Sequence, residues 1–520
     1  MRKAVDKRGK KRAERHVSAA LRMGVAALTL LLQIAVILLL SVYMRHYATI
    51  VYLALELLAF AVAIGIFNRS GSPSYKVSWI LLVLAVPVAG IILYVLWGGN
   101  HQAKHLSLKR VPPPAEREST RMESADNLIR LGRKCPNWER LAASLHKRGF
   151  LLYRNTKVRY FPEGEAFFAD LIHRASQAER YIFLEYYILA EGKLWDRLFE
   201  VLRERSAAGV EIKIIFDDFG NITRLSDAML QRIQDAGIEV QVFNPVHKYV
   251  NRIYFNYRDH RKIAAIDGQF AYTGGLNIAD EYANIIERFG HWKDTGVCLE
   301  GEGAWGLTAQ FIHMWEMLGS SLDNEHDYYR PLYSVEGAGF CQSFVDGPMN
   351  NPDNPAEDTY LQLISGARRF LYITTPYLAI EDSMLKALCI AADGGVDVRL
   401  MMPAVPDKKI VYMVAETYFG ELMRHGVKIY RYRPGFLHAK SVMVDREVAL
   451  VGTTNMDYRS FQLHHECAVL LYDMSAVEDL FEDMDHIMAE SIQVTMGEWK
   501  KRSWPRRVLE TVLKLFAIWM

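Results

Sequence analysis

Two stretches of the chain repeat one pattern of five residues at identical spacing. Residues 259–277 read DHRKIAAIDGQFAYTGGLN, and residues 437–455 read LHAKSVMVDREVALVGTTN. Each contains His-x-Lys, an acid five residues after the lysine, a glycine seven residues later and an asparagine three residues after that. One His-x-Lys pair alone is also typical of a solvated strand edge. Its recurrence with the rest of the pattern indicates a duplicated unit with a shared chemical purpose.

The spacing within the first copy predicts which side chains lie together. His260 and Lys262 are two residues apart, so on a β-strand they share one face. Asp267 falls at an odd offset from Lys262 and precedes Gly268, which predicts a turn and a structural role. Two glycines before Asn277 allow the backbone to approach a neighbour closely. The equivalent residues of the second copy are His438, Lys440, Asp445 and Asn455.

The sequence around the two motifs is repeated as well. Residues 207–218 parallel residues 393–404, and residues 235–245 parallel residues 424–434. Each copy alternates helices and strands before the motif hairpin, which predicts an α/β fold with a mainly parallel sheet and helices on both faces. The offset between copies falls from 189 to 178 before the first motif, so eleven extra residues follow Pro245.

Two H-x-K-x(4)-D-x(6)-G-x(2)-N motifs make this chain resemble the phospholipase D superfamily, and within it the bacterial cardiolipin synthases. The resemblance also rests on FNYRDHRKIAAIDG, GFLHAKSVMVD, ITTPYLAIEDSMLKAL and the hydrophobic amino-terminal segments. It covers roughly residues 50–520. It implies two phospholipase D-like domains of mixed or mainly parallel sheet, packed face to face and preceded by transmembrane helices.

Two histidines suit the chemistry of a phosphodiester. One neutral imidazole attacks phosphorus, while the other donates a proton to the leaving oxygen and later accepts one from the incoming alcohol. Lysines and asparagines beside them bind the non-bridging oxygens, so no metal or other cofactor is required. The resemblance implies the catalytic set His260, Lys262, Asp267, His438, Lys440 and Asp445. The predicted phosphate ligands are Lys262, Asn277, Lys440 and Asn455.

Acids placed ahead of an apolar strand in each repeat are candidates for orienting the histidines. Asp294 and Glu466 occupy such places, and a carboxylate on one imidazole nitrogen fixes the tautomer. The alternative is that both are ordinary strand-end acids. His291, His464 and His465 lie nearby in sequence, but their spacing is not that of a metal site, so we expect no metal.

Composition narrows the class of protein. The chain has 520 residues, 51% apolar side chains and a net charge of +2, which fits two to four domains and gives no general attraction to nucleic acid. Five scattered cysteines, without a C-x-x-C, indicate neither a disulfide framework nor a zinc site.

The amino-terminal region predicts a multi-pass protein of the cell membrane. Residues 1–22 hold nine lysines and arginines, and apolar segments at 23–44, 47–67 and 77–97 are each long enough to span a bilayer. Glu56 within the second segment is either a functional group or an acid that reaches the membrane surface. The side of the membrane that carries the catalytic half stays open.

The predicted division of the chain follows from these features. It comprises a basic tail (1–22), a transmembrane region (23–97), a connector (98–160), a first phospholipase D-like domain (161–305), an inter-repeat segment (306–350), a second such domain (351–490) and a carboxyl-terminal interfacial helix (491–520). In segment 491–520, basic residues and tryptophans precede a short apolar helix. Such a helix suits either the membrane interface or docking on the domain.

Three kinds of activity fit two such motifs. The resemblance favours a cardiolipin synthase, which converts two phosphatidylglycerols into cardiolipin and glycerol through a phosphohistidine. A membrane-bound phospholipase D would use the same residues with water as the acceptor. A nuclease is disfavoured by the apolar segments. The expected partners are phosphatidylglycerol and membrane lipid, without nucleic acid, and either histidine can be the nucleophile.

Overall fold

The computed structural model describes residues 28–29, 31–35, 48–69, 71–98, 108–245, 257–349 and 353–517. The predicted basic tail, most of the first apolar segment, the insertion after Pro245 and residues 518–520 lie outside the described residues. The chain forms two compact units. One contains the amino-terminal helices, and the other contains both repeats, Ser107–Phe243 with Arg258–Ala517.

The amino-terminal unit contains helices that correspond only in part to the predicted spans. Their bounds are α1 Ala48–Phe67, α2 Pro73–Ala85 and α3 Pro87–Trp97. Among the described residues, Thr49–Phe67 alone is long and apolar enough to cross a membrane. The predicted span at 77–97 is divided between α2 and α3. Pro87 interrupts it, because proline disfavours helical backbone at the preceding residue, and Val86 has φ −136° and ψ 74°.

The first repeat forms a seven-stranded sheet preceded by two helices. The elements are α4 Glu118–Lys134, α5 Glu139–Lys147, β1 Thr156–Phe161, α6 Gly164–Ser176, β2 Tyr181–Tyr186, α7 Lys193–Ala207, β3 Glu211–Asp217, α8 Asp227–Asp235, β4 Glu239–Phe243, β5 Arg258–Asp259, β6 Lys262–Ile266, β7 Phe270–Gly274, β8 His291–Lys293, β9 Gly296–Gly301 and α9 Ala304–Met317. The strand order is β1-β9-β7-β6-β2-β3-β4.

The second repeat forms a sheet with the same central order. Its elements are β10 Phe340–Asp346, α10 Pro355–Gly366, β11 Phe370–Thr374, β12 Leu378–Ala379, α11 Asp382–Asp393, β13 Asp397–Pro403, α12 Lys409–Arg424, β14 Lys428–Tyr432, β15 Gly435–Leu437, β16 Ser441–Val444, β17 Val448–Gly452, β18 Met456–Asp457, α13 Tyr458–Gln462, β19 His464–Tyr472, α14 Ser475–Ala489, β20 Ser491–Gln493, α15 Met496–Lys500 and α16 Trp504–Leu515. The order is β10-β19-β17-β16-β11-β13-β14-β20, and β5 pairs with β19.

Both sheets are mixed, as expected, but parallel pairing does not dominate them. The parallel pairs β2–β3 and β3–β4 recur as β11–β13 and β13–β14. Each motif hairpin instead turns back beside the first of these strands, so β6 and β16 pair antiparallel with β2 and β11. The strand after each hairpin continues the antiparallel part. A hairpin needs only a tight turn, whereas a parallel pair needs a crossover connection.

The two sheets share one apolar core. A single buried cluster contains Phe183 and Ile263 from the first sheet, Tyr372 and Met443 from the second, and Trp315 from α9. Full burial of one such side chain contributes about 1.5–3 kcal/mol. The sheets also extend past the predicted domain boundaries. The strands β1, β10 and β20 lie at or beyond these boundaries, and each joins its sheet by pairing with a strand that is distant in sequence. The five cysteines are buried and free.

The motif acids lie in turns, where the spacing placed them. Asp267 has φ 54°, and its carboxylate accepts backbone N–H groups from Glu179, Arg180 and Tyr181, each at 2.9 Å. Asp445 repeats this geometry with φ 55°, accepting at 2.8–2.9 Å from the N–H groups of residues 368–370. Each acid thus ties the motif hairpin to the start of the central strand, β2 or β11.

We expect Asp445→Asn and Asp267→Asn to lower the free energy of unfolding more than they impair the chemical step. An amide supplies one acceptor oxygen in place of two, and its NH2 faces a backbone donor, at a cost of about 1–3 kcal/mol. Denaturant unfolding in detergent, with exposed Asp235→Asn as the control, measures this loss. A variant with unchanged unfolding and no activity would contradict the structural role.

Candidate active site

The backbone of each motif histidine is held by the opposite repeat. The His260 N–H donates to the His465 carbonyl at 2.9 Å, and the His438 N–H donates to the Lys293 carbonyl at 2.7 Å. Short parallel strand pairs flank these bonds, β5 with β19 and β8 with β15. The two motifs therefore form one site through a reciprocal exchange of backbone hydrogen bonds.

The predicted orienting acids also act across the repeats. The His260 Nδ1 atom lies 3.0 Å from both Glu466 carboxylate oxygens, and the His438 Nδ1 atom lies 2.6 Å from Asp294 Oδ2. All four side chains are buried. A carboxylate at Nδ1 favours the tautomer with its proton there, which leaves Nε2 with a free lone pair. Each acid thus orients the histidine of the other repeat.

Different neighbours hold the two acids in place. A Cβ atom at Gly275 would lie 2.0 Å from Asp294 Oδ1, so only glycine admits this carboxylate so close to the backbone. Thr453 stands at the equivalent place in the second repeat and donates its hydroxyl to Glu466. The close backbone approach predicted from the glycine pair is therefore an approach to the orienting acid.

The motif lysines lie beside the histidines, and their ammonium groups have lowered pKa values. Lys262 Nζ donates to the His260 carbonyl at 2.5 Å, and Lys440 Nζ donates to the His438 carbonyl. Burial lowers the pKa of Lys262 to about 8 and that of Lys440 to about 7, despite the nearby acids. A bound anion would stabilise the charged form of both ammonium groups, so the pair is suited to a phosphate.

Both imidazoles are neutral near pH 7. Burial, followed by the charge of Lys262, lowers the pKa of His260 well below its ordinary value. Burial and then Lys440 lower the pKa of His438 to about 4, against the opposing effect of Asp294. A neutral imidazole is the form that attacks phosphorus or accepts a proton. An incoming phosphodiester anion would raise both pKa values and allow one ring to carry a proton.

The motif asparagines are engaged by neighbouring groups. Asn277 accepts the Ile188 N–H at 3.0 Å and donates Nδ2 to the Tyr282 hydroxyl at 2.8 Å. Asn455 donates Nδ2 to the Ser460 hydroxyl at 3.2 Å. Both hydroxyls lie five residues beyond their asparagine, so the repeat extends past the predicted motif. Direct phosphate binding by the asparagines stays a prediction.

Sequence reasoning did not find the aromatic walls of the site. The Tyr187 ring lies 5.2 Å from the His260 ring, and the Tyr282 ring lies 5.4 Å from the His438 ring, both edge-on. The Trp292 ring lies 5.3 Å from His438. These rings exclude water from the imidazole faces. Aromatic residues of this kind are common in cores, so their positions carried no distinct signal.

A third histidine joins the first motif. The His464 ring lies 5.5 Å from the His260 ring, and its Nδ1 atom lies 3.6 Å from Glu466 Oε1. His260, His464 and Glu466 bring three potential metal ligands within 4.8 Å of one another, as do Glu163, Glu165 and His291. Spacing along the chain missed the first group because its members come from both repeats. The absence of a metal remains an expectation.

Beneath the first histidine lies a buried charge network whose two arginines have apolar equivalents in the second repeat. Arg258 pairs with Asp217 at 3.3 Å, and Arg261 pairs with Asp259 at 3.1 Å and with Glu185. The residues equivalent to the two arginines are Phe436 and Ala439, both fully buried. The two halves of the site therefore have the same catalytic groups in different electrostatic surroundings.

Similarity to known proteins agrees with this geometry. The family described as cardiolipin synthase, PLD-like domain, matches residues 171–287 and 360–488, and the family described as phospholipase D-nuclease N-terminal matches residues 57–99. A cardiolipin synthase 2 of Bacillus anthracis is 34% identical over 462 residues, which cover 88% of this chain and 89% of the relative. The chain belongs to the PLD-like cardiolipin synthase family.

Two further matches are a sequence relative and a solved structure. An uncharacterized protein of Streptococcus mutans is 36% identical over 448 residues, which cover 85% of this chain and 95% of the relative. Among solved structures, a phosphatidylserine synthase of Haemophilus influenzae matches with a TM-score of 0.55 at 14% identity, covering 71% of this chain and 94% of that chain. This structural likeness shows a shared fold.

Replacement of either motif histidine should abolish turnover. His260→Ala and His438→Ala each remove a group needed for attack or for protonation of a poor leaving group, which predicts a loss of about 100- to 10,000-fold or more. Release of labelled glycerol from phosphatidylglycerol vesicles measures the rate. The control is His425→Ala, since this histidine pairs with Asp393 at the surface. Substantial turnover by either active-site variant would rule out a two-histidine mechanism.

Proposed function

We propose that this protein is a phosphatidyltransferase that makes cardiolipin and glycerol from two molecules of phosphatidylglycerol. The observation that carries the proposal is the pair of neutral, carboxylate-oriented imidazoles that face one site beside two buried lysines. Membership of the cardiolipin synthase family supports this choice of substrate and product.

The first step forms a covalent phosphohistidine. The Nε2 lone pair of one imidazole attacks the phosphorus of the donor lipid, and the bond from phosphorus to the glycerol headgroup breaks. The other imidazole, protonated once the anionic substrate is bound, gives its proton to the departing glycerol oxygen. Lys262 and Lys440 offset the charge on the non-bridging oxygens. Free glycerol leaves, and the phosphatidyl group stays on the enzyme.

The second step reverses these roles with a new alcohol. A hydroxyl of a second phosphatidylglycerol gives its proton to the now neutral imidazole and attacks phosphorus. The bond between nitrogen and phosphorus breaks, and both histidines return to their starting forms. Cardiolipin is the product. Hydrolysis by a phospholipase D would follow the same path with water as the acceptor, so the two activities differ only in which hydroxyl reaches the intermediate.

We also propose that the amino-terminal helices hold the protein in the cell membrane with more than one pass. The helix Thr49–Phe67 is long and apolar enough for one crossing. The shorter apolar helices α2 and α3 follow it directly and are joined at Pro87. Glu56 is exposed on α1, so no described part of the chain covers its carboxylate.

The carboxyl-terminal helix supports a second contact with the membrane. Arg506 and Glu510 of this helix lie on its domain side, where Arg506 pairs with Glu416 of α12 and with Glu510. Its apolar side chains point outward, with Trp504 exposed to 76% and Val508 to 54%. The helix is therefore docked on the domain and also presents an apolar stripe. We propose that this stripe lies on the bilayer surface, where the preceding basic residues Lys500 and Lys501 complement anionic lipid.

Product analysis separates a synthase from a hydrolase. In phosphatidylglycerol vesicles, cardiolipin and glycerol should appear in near-equal amounts with little phosphatidic acid, because donor and acceptor lie in the same plane. Excess glycerol should drive the reaction backward, since the same intermediate reacts with the product alcohol. Predominant phosphatidic acid, unaffected by glycerol, would show that water is the normal acceptor.

The membrane contact of α16 is testable by fluorescence quenching in reconstituted vesicles. A dye attached at Val508→Cys should be quenched strongly by lipids that carry a quencher in the bilayer, because this side chain lies on the exposed apolar stripe. A dye at Arg203→Cys, on exposed α7, is the control. The five native cysteines are buried, which keeps labelling selective. Equal quenching at the two positions would contradict the contact.

A further inference from the structure

Arg459 is a cation at the active site without a carboxylate partner among the described residues. It lies on the short helix α13, directly after the second motif. Its Nε atom donates to His464 Nε2 at 3.3 Å, and the His464 ring lies 5.5 Å from the His260 ring. Through His464, the guanidinium is therefore one side chain away from a catalytic imidazole.

The neighbouring arginines differ from Arg459 in that they form ion pairs. Arg258 and Arg261 each form an ion pair, with Asp217 and Asp259, within the described part of the chain. Arg459 is partly buried and forms no direct ion pair with a described carboxylate, although the charge of Asp457 acts on it. A guanidinium in such surroundings is suited to a ligand that supplies a further negative charge. Arginine binds phosphate especially well, because its planar fork donates two parallel hydrogen bonds to two phosphate oxygens.

The proposed transfer reaction needs a second place for a phosphate. Lys262 and Lys440 serve the donor phosphate that reacts with histidine. The acceptor phosphatidylglycerol carries a phosphate of its own, separated from the attacking hydroxyl by the glycerol headgroup, and this charge must also be held near the site. Lys408 lies in the same region, since its Nζ atom lies 4.8 Å from the ring centroid of Tyr377. Tyr377 directly precedes β12, and β12 pairs with β18, the strand just before Arg459.

We propose that Arg459, assisted by Lys408, binds the phosphate of the acceptor lipid. This inference rests on the proposed transferase function and extends it by naming the residue that recognises the acceptor. Water and free glycerol carry no phosphate and gain nothing from such a subsite. Arg459 therefore favours a phospholipid alcohol over both competitors, although the covalent intermediate itself would react with any of them.

The test compares two reactions that share the donor and the intermediate. One is cardiolipin formation in phosphatidylglycerol vesicles, and the other is exchange of labelled free glycerol into phosphatidylglycerol. In the full chain, Arg459→Gln should slow cardiolipin formation about 10- to 100-fold, the typical effect of losing a charge-assisted hydrogen bond. Glycerol exchange should stay within about threefold, because it uses no acceptor phosphate. Arg203→Gln, at an exposed surface pair with Glu200, is the matched control.

Each outcome of this comparison either supports or overturns the role of Arg459 in acceptor binding. Equal loss of both reactions in a folded variant would place Arg459 with the donor or the chemical step and overturn the proposal, as would no loss of either. If the glutamine variant fails to fold, Arg459→Lys decides instead. It keeps the charge without the fork and should lower cardiolipin formation selectively but less severely, whereas an unselective effect overturns the proposal. Wild-type protein that releases only phosphatidic acid would instead overturn the transferase function.

Discussion

The reciprocal exchange between the two repeats is the interaction on which this site depends. Each catalytic histidine receives its backbone hydrogen bond and its orienting carboxylate from the opposite repeat, at His465 and Glu466 for one and at Lys293 and Asp294 for the other. Neither motif histidine takes its orienting carboxylate from its own repeat. The apolar core shared by the sheets therefore matters for the chemistry, because it holds each histidine beside the acid of the opposite repeat.

Burial of this exchange sets the charge state of the catalytic groups. Removal from water keeps both imidazoles neutral and leaves both lysines readily deprotonated, so the empty site avoids accumulating buried positive charge. A bound anionic phosphodiester would raise the pKa values of both lysines and both histidines again. The buried ion pairs beneath His260 and the apolar side chains beneath His438 then make the two halves unequal, although their catalytic residues are identical.

Much of the site could be predicted because its chemistry is encoded in short spacings. The period of two along a strand placed His260 beside Lys262, and an acid ahead of Gly268 indicated a turn. Spacing along the chain did not bring His464 together with His260 for the opposite reason, since these residues belong to different repeats and meet only through folding. Each motif asparagine donates to a hydroxyl five residues later in the chain. This repeated spacing is present in the sequence, but only the structure showed its purpose.

By itself, the sequence determined the duplication, the presence of a His-x-Lys pair in each repeat, the turn position of the motif acids and the α/β class. These follow from local geometry, which residue type and spacing specify directly. Only the tertiary structure decided which acid lies beside which histidine, that antiparallel pairs outnumber parallel ones among the described strands, and that Arg506 and Glu510 of α16 face the domain. These depend on contacts between residues far apart in the chain, where burial and strand pairing select among arrangements that the local pattern allows equally.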